Sequence, residues 1–202
     1  IRVEKNKVVS IFHSLFNPGV RVDPFIINLT GINPRELEDA PQFFAKTKEI
    51  AEILKDAIFV AHNSRFDYNF LKKEFRRLEK KFRYPQLCTV KLSRKLFPDW
   101  GHYNLDAVME NMEIVCRDRH RAMGDASVLW ELYKKMKKQF PKKLIKKHAD
   151  EIMKHPSVPL AIPYEILDNL PEEPGVYIFY GDDRTPLYIG KSVNIHDRVM
   201  DH

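Results

Sequence analysis

Apolar and polar positions along the chain follow two periods, and their order predicts how strands and helices succeed one another. Residues 1–16 alternate as two strands joined by a polar turn at Glu4–Lys7, and an Asn-Pro-Gly break follows. The run AIFVA at 57–61 is continuous and apolar, which is typical of a strand buried on both faces. Paired strands followed by alternating strands and helices predict an α/β fold with a mixed sheet and flanking helices.

Apolar residues spaced three and four apart predict the helices of this domain. They begin after Asp39 and cover about 66–80, 89–97, 104–112 and 125–140. Eight lysines occur between Lys134 and Lys147, and prolines recur from 156 to 174. This composition predicts a first domain over 1–140 and a basic, proline-containing linker over 141–170. The lysines either form a solvated helix face or follow nucleic-acid phosphates.

A change to aromatic-rich alternation predicts a second, smaller unit over 171–202. GVYIFYG and PLYIG are typical of two strands on either side of a turn at Asp182–Arg184, and NIHDRVMDH starts a helix. We therefore expect the beginning of a small α+β domain. The first residues resemble the end of a strand and the last lie in a helical pattern, so we expect an internal segment of a longer protein.

Composition limits the class of protein. With 44% hydrophobic residues, 13 Phe and 8 Tyr, the 202-residue chain can bury a core and is not of disordered composition. Its formal charge of +6 is compatible with an anionic partner such as nucleic acid, although charge alone does not establish one. Two cysteines favour a reducing, cytoplasmic compartment, and no apolar run approaches the ~18 residues that span a membrane.

Two aspartates lie on the apolar faces of their predicted helices. Asp67 shares a face with Phe70, and Asp125 shares one with Val128. A helix-start role is open to each, with Ser64 as N-cap and Asp67 completing a capping box. No lysine or arginine is placed suitably on either face, so a divalent metal held between Asp67 and Asp125 would balance their charge.

His120 precedes Asp125 by five positions, a separation that in a continuous helix turns the two side chains about 140° apart. If both serve one site, His120 must lie on the loop before the helix, with Gly124 as the break. A loop histidine suits a general base that deprotonates water. The alternative is a surface histidine in an arginine-rich stretch.

The segments HNSRFDYNFL, TVKLSRKLFP, YNLDAV and HRAMGDAS occur in an order and at a spacing that resemble the DnaQ-like 3′–5′ exonucleases of the DEDDh group. The resemblance covers about residues 1–140 and implies a ribonuclease H-like fold. It implies Asp67 and Asp125 as metal ligands, His120 as the general base, and Asn63 and Phe66 as contacts to nucleic acid. Two divalent ions, Mg²⁺ or Mn²⁺, would bind the scissile phosphate, activate water and stabilise the leaving oxygen.

The first motif of that family, a strand with Asp-x-Glu, is absent from this sequence, and the resemblance places it before Ile1. Its two carboxylates are the principal metal ligands. Glu4 is the sole carboxylate of IRVEKNK and falls in a predicted turn, so it is no substitute. We therefore expect the chain as given to bind metal poorly and not to hydrolyse, and the intact parent protein to be active.

The strings GVY and YIGK, followed by Arg198 and preceded by LPEEP, resemble the start of a GIY-YIG nuclease domain such as that of UvrC and Cho endonucleases. The resemblance covers about 170–202. It implies Tyr188 and Tyr177 as base and supporting group, Arg198 as the stabiliser of phosphate charge, and Lys191 as an aid on the phosphate or a tyrosine. A cation beside a phenol favours the phenolate. The family's single divalent metal is held by a glutamate that the resemblance places beyond His202.

These motifs predict a fused nuclease that hydrolyses DNA phosphodiesters, from 3′ ends in its first domain and internally in its second. The expected partner is DNA, as single strands, 3′ ends or damaged duplex, with a DNA polymerase or a repair complex as a further partner. DNA repair fits the fusion better than proofreading. Two other functions stay open: a catalytically inactive nucleic-acid-binding module, and an RNA-trimming exonuclease.

Overall fold

The computed structural model describes residues 1–154, 166, 170–171 and 173–201, and the chain divides into two compact units, Ile1–Lys154 and His155–His202. The strands of the first unit are β1 (Arg2–Glu4), β2 (Lys7–Ser10), β3 (Phe59–Ala61) and β4 (Gln86–Cys88). Its helices are α1 (Pro24–Thr30), α2 (Pro34–Glu38), α3 (Thr47–Leu54), α4 (Ser64–Arg77), α5 (Thr89–Leu96), α6 (Leu105–Asn111), α7 (Ala122–Gln139) and α8 (Lys142–Lys154), with a 3₁₀ turn at Phe43–Lys46. The second unit contains β5 (Gly175–Tyr180), β6 (Pro186–Ser192) and α9 (Ile195–Asp201).

The strands of the first unit form two separate pairs. β1 and β2 are antiparallel around a turn in which Lys5 and Asn6 both have positive φ. β3 and β4 are parallel, and α4 forms the crossover between them. Both strand directions of the predicted mixed sheet are therefore present, but among the described residues they occur as two two-stranded sheets instead of one.

One side chain fixes the β1–β2 hairpin to the end of α3. Arg2 Nη1 donates to the carbonyl oxygens of Ile53 and Lys55 at 3.1 and 2.7 Å. The last carbonyls of a helix have no partner within it, and the helix dipole favours a cation there. Arg2 therefore caps the C-terminal end of α3 and attaches the N-terminal strands to this helix.

Two apolar cores hold the first unit together. The larger joins α5, α6, α7 and α8, and its most deeply buried members include Val108, Leu132 and Met136, which are 0%, 0% and 1% exposed. The smaller is aromatic, and in it the rings of Phe75 and Phe82 lie 5.1 Å apart. The two cores pack against α7 and α4, the helices whose first turns carry Asp125 and Asp67.

The helix α8 occupies residues for which the sequence predicts the start of a linker. Its Ile145 and Ile152 are 5% and 7% exposed, within the larger core. These isoleucines are seven residues apart and share one face of the helix, a pattern that the surrounding lysines obscure. The linker expected over 141–170 is therefore wrong for Lys142–Lys154, which belong to the first unit, while 155–165 and 167–169 lie outside the described residues.

Two short helices, α1 and α2, precede those that the apolar pattern predicts. The side chains of Asp23 and Asn33 accept hydrogen bonds from backbone N–H groups two residues on, and a proline begins each helix. Neither helix has a buried residue, so no apolar period marks it. The helix expected after Asp39 begins at Thr47, behind the 3₁₀ turn.

The second unit is built on the predicted hairpin. β5 and β6 are antiparallel, and α9 packs on one of their faces through Ile195 and Val199, which are 5% and 3% exposed. Tyr177 of β5, 8% exposed, completes this small core. Throughout the described part of the chain, no helix combines the length and apolar character that crossing a bilayer requires.

Candidate active site

The first candidate site begins at the sharp turn between β3 and α4. Asn63, just before the helix, has a left-handed backbone (φ 64°, ψ 52°), which asparagine tolerates better than most residues, and its side chain makes no capping hydrogen bond. Ser64 is the first helical residue, and its Oγ donates to Gln86 Oε1 at 3.4 Å. The predicted capping box of Ser64 with Asp67 is therefore wrong, and Asp67 lies in the first turn free of that role.

Asp67 is an exposed residue, contrary to the inward orientation predicted from its helical face. Phe66 and Phe70 are 65% and 62% exposed with their ring centroids 5.6 Å apart, so this side of α4 is open. The carboxyl group is nevertheless crowded: desolvation raises its pKa, and the charge of Asp125 raises it further. The carboxyl groups of Asp67 and Asp125 are therefore near enough to interact electrostatically.

Asp125 lies in the first turn of α7 and is held by the loop before it. Arg119 Nη1 donates to Asp125 Oδ1 at 2.5 Å, and the backbone N–H of His120 donates to the same oxygen at 3.3 Å. Arg119 Nε also donates to Asp106 Oδ1 of α6 at 2.7 Å. The expectation that no cation faces Asp125 is wrong, because Arg119 reaches it from outside the helix, where helical spacing gives no information.

The Arg119 guanidinium is held in its charged form by both carboxylates. The hydrogen bond with Asp106 is the largest cause of its raised pKa, and that with Asp125 adds to it. In turn, the hydrogen bond from Arg119 lowers the pKa of Asp106. The Asp125 side chain keeps 34% of its surface exposed, so it remains accessible to a ligand that can compete with Arg119.

His120 lies on the loop before α7, as its five-residue separation from Asp125 predicts. The break in the backbone is at His120 itself (φ 62°) and not at Gly124, which is inside the helix. Gly124 has a different role, since a Cβ there would lie 2.0 Å from the carbonyl oxygen of Asp118. Its missing side chain lets the loop that carries Arg119 and His120 lie directly against α7.

His62, which the sequence analysis does not single out, joins three segments behind the site. Its Nδ1 lies 2.9 Å from Thr89 Oγ1 at the start of α5, and its Nε2 lies 2.8 Å from the carbonyl oxygen of Tyr103. A carbonyl only accepts, so Nε2 carries the proton. Burial lowers the pKa of His62 and favours the neutral ring. Its place directly before Asn63 is the sole sequence signal that could have identified it.

Asp67 and Asp125 are suitable as part of a metal-binding set. Carboxylate oxygens are the ligands that Mg²⁺ and Mn²⁺ prefer. Over the residues that the structure describes, however, no group of three or more His, Cys, Asp or Glu side chains could hold an ion. The pair can therefore contribute to a site that further ligands complete, and an ion at Asp125 would share the carboxylate with Arg119, which donates to Oδ1.

The second candidate site lies on one face of the β5–β6 hairpin. The rings of Tyr177 and Tyr188 are 5.9 Å apart, and the Arg198 guanidinium of α9 is hydrogen-bonded to both tyrosines. Burial and then the hydrogen bond with Tyr188 raise the pKa of Tyr177, while Arg198 lowers it. At Tyr177, burial and Tyr188 outweigh Arg198, so the neutral phenol is favoured there.

The register of the hairpin decides which motif residues meet. Gly190 lies opposite Tyr177, and a Cβ at Gly190 would approach the Tyr177 ring to 2.3 Å, so glycine is needed for the ring to cross this strand. Lys191 is paired with Val176 and, because side chains alternate along a strand, lies on the other, exposed face. The structure does not bring Lys191 together with the tyrosines and Arg198, contrary to the prediction.

The first unit has the ribonuclease H-like fold of the exonucleases. The chain belongs to the exonuclease family described as RNase_T, whose model matches residues 1–133. Exonuclease X, solved in complex with 5′ overhanging duplex DNA, shares the fold with a TM-score of 0.55 at 21% identity. The match covers 73% of this chain and 86% of Exonuclease X.

Curated relatives are longer than this chain. A PolC-type DNA polymerase III of Caldanaerobacter subterraneus subsp. tengcongensis is 34% identical over 136 residues, which are 67% of this chain and 10% of that protein. The 3′-5′ exonuclease DinG of Staphylococcus epidermidis is 34% identical over 139 residues, 68% of this chain and 15% of that protein. A putative bifunctional exonuclease/endonuclease protein of Mycobacterium tuberculosis is 28% identical over 207 positions, covering 100% of this chain and 32% of that protein.

Proposed function

We propose that this chain is part of a bifunctional nuclease acting on DNA in repair or proofreading, with a metal-dependent 3′–5′ exonuclease in the first unit. The observation that carries the proposal is the placement of Asp67 and Asp125 in the first turns of α4 and α7 of an exonuclease-family fold, near enough that the charge of Asp125 raises the pKa of Asp67. The DNA polymerase relative and the solved complex of Exonuclease X with duplex DNA support DNA as the substrate. We place the parent protein in the cytoplasm, where its cysteines stay reduced.

In the exonuclease site, Asp67 and Asp125 would hold two divalent ions together with the Asp-x-Glu carboxylates that the family resemblance places outside this sequence. Bound ions would supply activation of water and stabilisation of the leaving oxygen. His120 would take the proton from water, because its loop brings it next to Asp125 and leaves the imidazole exposed. Phe66, exposed beside Asp67, would stack on the terminal base, and Asn63 would bind the same nucleotide.

For the second unit we propose a GIY-YIG-type endonuclease that uses a single divalent metal. Tyr188 would act as the base, Tyr177 as its hydrogen-bonded support, and Arg198 as the counter-charge for the phosphate. The raised pKa of Tyr177 supports its assignment as the neutral partner. The mycobacterial relative, which matches the whole chain and is named as an exonuclease and endonuclease, supports the combination.

The test uses the full-length parent protein with Asp125→Asn and Tyr188→Phe introduced separately. We expect Asp125→Asn to abolish trimming of 3′-labelled single strands and to leave plasmid nicking intact. Tyr188→Phe should reduce nicking by about 10²–10⁴-fold, the usual contribution of a general base, and leave trimming intact. Loss of both activities in either variant would show that the two sites do not act independently.

A second arm of the same experiment tests the substrate. Single-stranded DNA and RNA of equal sequence, both 3′-labelled, are offered to the unmodified parent protein with Mn²⁺. We expect faster trimming of DNA. A preference for RNA of about tenfold, which is about 1.4 kcal/mol of activation free energy, would replace the DNA assignment with RNA trimming.

A further inference from the structure

The outer face of α7 carries two aromatic rings and two lysines that the proposed catalytic chemistry does not use. We propose that this surface, the α7 stripe (Trp130, Tyr133, Lys134 and Lys137), binds single-stranded DNA away from the catalytic residues. The inference rests on the proposed nuclease function for the identity of its ligand. The geometry of the stripe is given by the contacts among these four side chains.

In the α7 stripe the two aromatic rings contact each other, and each ring also contacts a lysine. The Trp130 and Tyr133 rings have centroids 5.9 Å apart and planes inclined by 27°. Lys134 Nζ lies 5.6 Å from the centre of the Trp130 ring, and Lys137 Nζ lies 5.6 Å from the centre of the Tyr133 ring. Spacings of three and four residues place all four side chains on one side of the helix. Each ring is therefore paired with a cation that is long and flexible enough to move from it.

The stripe faces away from the core. Val128, Leu132 and Met136 on the opposite side of α7 are 2%, 0% and 1% exposed, and they hold the helix in place. Tyr133 is 36% exposed and Trp130 is half-buried. The inner face packs α7 into the core, so part of each ring on the outer face remains open to a ligand.

The positive surface continues onto the β1–β2 turn. Lys137 Nζ donates to Asn6 Oδ1 at 2.5 Å, and the neighbours Lys5 and Lys7 are exposed. One carboxylate lies on the stripe: Glu131 Oε1 accepts from Lys134 Nζ at 2.5 Å. A second acid, the exposed Glu4, lies next to the turn and is paired with Arg2. The four lysines outnumber these two acids, so the surface is suited to an anionic partner.

Single-stranded DNA offers the two groups that this surface can bind. Its phosphates can take the lysines, as in other nucleic-acid complexes, and its unpaired bases can stack on the aromatic rings that the lysines leave. A duplex hides its base faces, and it would use the lysines alone. A second copy of this chain would bring like charges together, which disfavours self-association.

Tryptophan fluorescence tests the proposal directly, because the chain has two tryptophans and Trp100→Phe leaves Trp130 as the only one. Oligothymidylate of about 12 nucleotides is titrated into the chain in EDTA, so that hydrolysis plays no part. We expect saturable quenching of Trp130. If Trp100→Phe does not fold, quenching of the unmodified chain is compared with that of Trp130→Phe, in which it should be lost.

Charge variants locate the binding surface. With Lys134→Ala/Lys137→Ala, the slope of log affinity on log salt should fall by about 1.4, since each phosphate contact on a single strand contributes about 0.7. The control Lys48→Ala/Lys81→Ala removes the same charge at two exposed positions and should leave the slope unchanged. An equal decrease of the salt slope in both double variants would overturn the proposal. So would a Trp130 fluorescence that the oligonucleotide does not quench, or one that changes with protein concentration alone. Tighter binding of oligouridylate than of oligothymidylate would also overturn it. Trimming by the parent protein could survive each of these results, so failure of the stripe is separable from failure of the nuclease function.

Discussion

Asp125 already has two donors from its own loop, and this changes how a metal site here would work. Arg119 and the His120 N–H both donate to Oδ1, so the carboxylate is oriented, and its charge is partly offset by an arginine that it shares with Asp106. Helical spacing correctly placed His120 on the loop but wrongly predicted an inward orientation for Asp67, and the role of both aspartates as site residues stays a prediction. The spacing missed Arg119 and His62, since their partners lie on other elements and leave no periodic signal.

At Asp67 the raised pKa predicts a dependence of stability on pH. The folded chain holds the Asp67 proton more tightly than the unfolded chain does, so the stabilising contribution of this group is present at low pH and is lost as pH rises through the folded pKa. Asp67→Asn should therefore raise the melting temperature at pH 7, by no more than about 2 °C because the residue is exposed. The gain should disappear as pH falls towards ~3.9, the ordinary value for aspartate.

Thermal melts of both proteins between pH 3 and pH 8 measure this difference. Asp99→Asn, at an exposed loop position, is the control and should show no such gain. A lower melting temperature for Asp67→Asn at pH 7 would mean that the Asp67 charge is stabilised in the folded chain, contrary to the desolvation argument.

Gly124 provides a second test at a single residue. Alanine is ordinarily the better helix former by about 1 kcal/mol, yet its Cβ here would meet the Asp118 carbonyl oxygen at 2.0 Å. We expect Gly124→Ala to destabilise the chain by about 1–3 kcal/mol in urea unfolding, since either the loop or the helix must shift. Gly101→Ala, where a Cβ has open space around it, should be close to neutral. A stabilised Gly124→Ala would show that the loop does not lie against α7.

Elements were predictable where an apolar face repeats, and were missed where it does not. The patterns around α4, α5, α6 and α7 predict helices within a few residues of their observed bounds. The three-residue strand β4 is too short to show a period, and α1 and α2 have no buried face. In α8, lysines separate the isoleucines that enter the core, and this lysine-rich composition led to the wrong prediction of a linker.

The role of α8 predicts where the first unit can be cut. A chain that ends at residue 140, the domain boundary predicted from sequence, would expose the core that Ile145 and Ile152 cover. We expect it to unfold at lower urea concentration than a chain that ends at residue 154. In the longer chain, Ile145→Ala should cost about 2–5 kcal/mol, while Lys146→Ala, at an exposed position of the same helix, should stay within about 0.5 kcal/mol. If the two chains were equally stable, α8 would not contribute to the fold of the first unit and would instead be part of the linker.

For the whole molecule, sequence reasoning separated two units and named a family resemblance for each, and the family comparison bears out the first. The separation was predictable because the apolar period changes from helical to alternating after Pro174. The pairing of strands into two small sheets was not, because hydrogen-bond partners distant in sequence depend on the whole fold. The assignment of the second unit stays a prediction, supported by its tyrosine and arginine cluster.

Each unit has its own core, and this predicts separate unfolding. The core of the second unit is small, so Ile195→Ala, which empties a position that is 5% exposed, should unfold that unit at a cost of about 2–5 kcal/mol. Both tryptophans, Trp100 and Trp130, belong to the first unit, so their fluorescence reports that unit alone. We expect the tryptophan-monitored melt of Ile195→Ala to match that of the unmodified chain, while nuclear magnetic resonance signals of Tyr177 lose their dispersion. Val193→Ala, at an exposed position of the same unit, should change neither measurement. If the tryptophan transition moved with Ile195→Ala, the two units would unfold as one cooperative body, and variants in one candidate site could no longer be read as independent of the other.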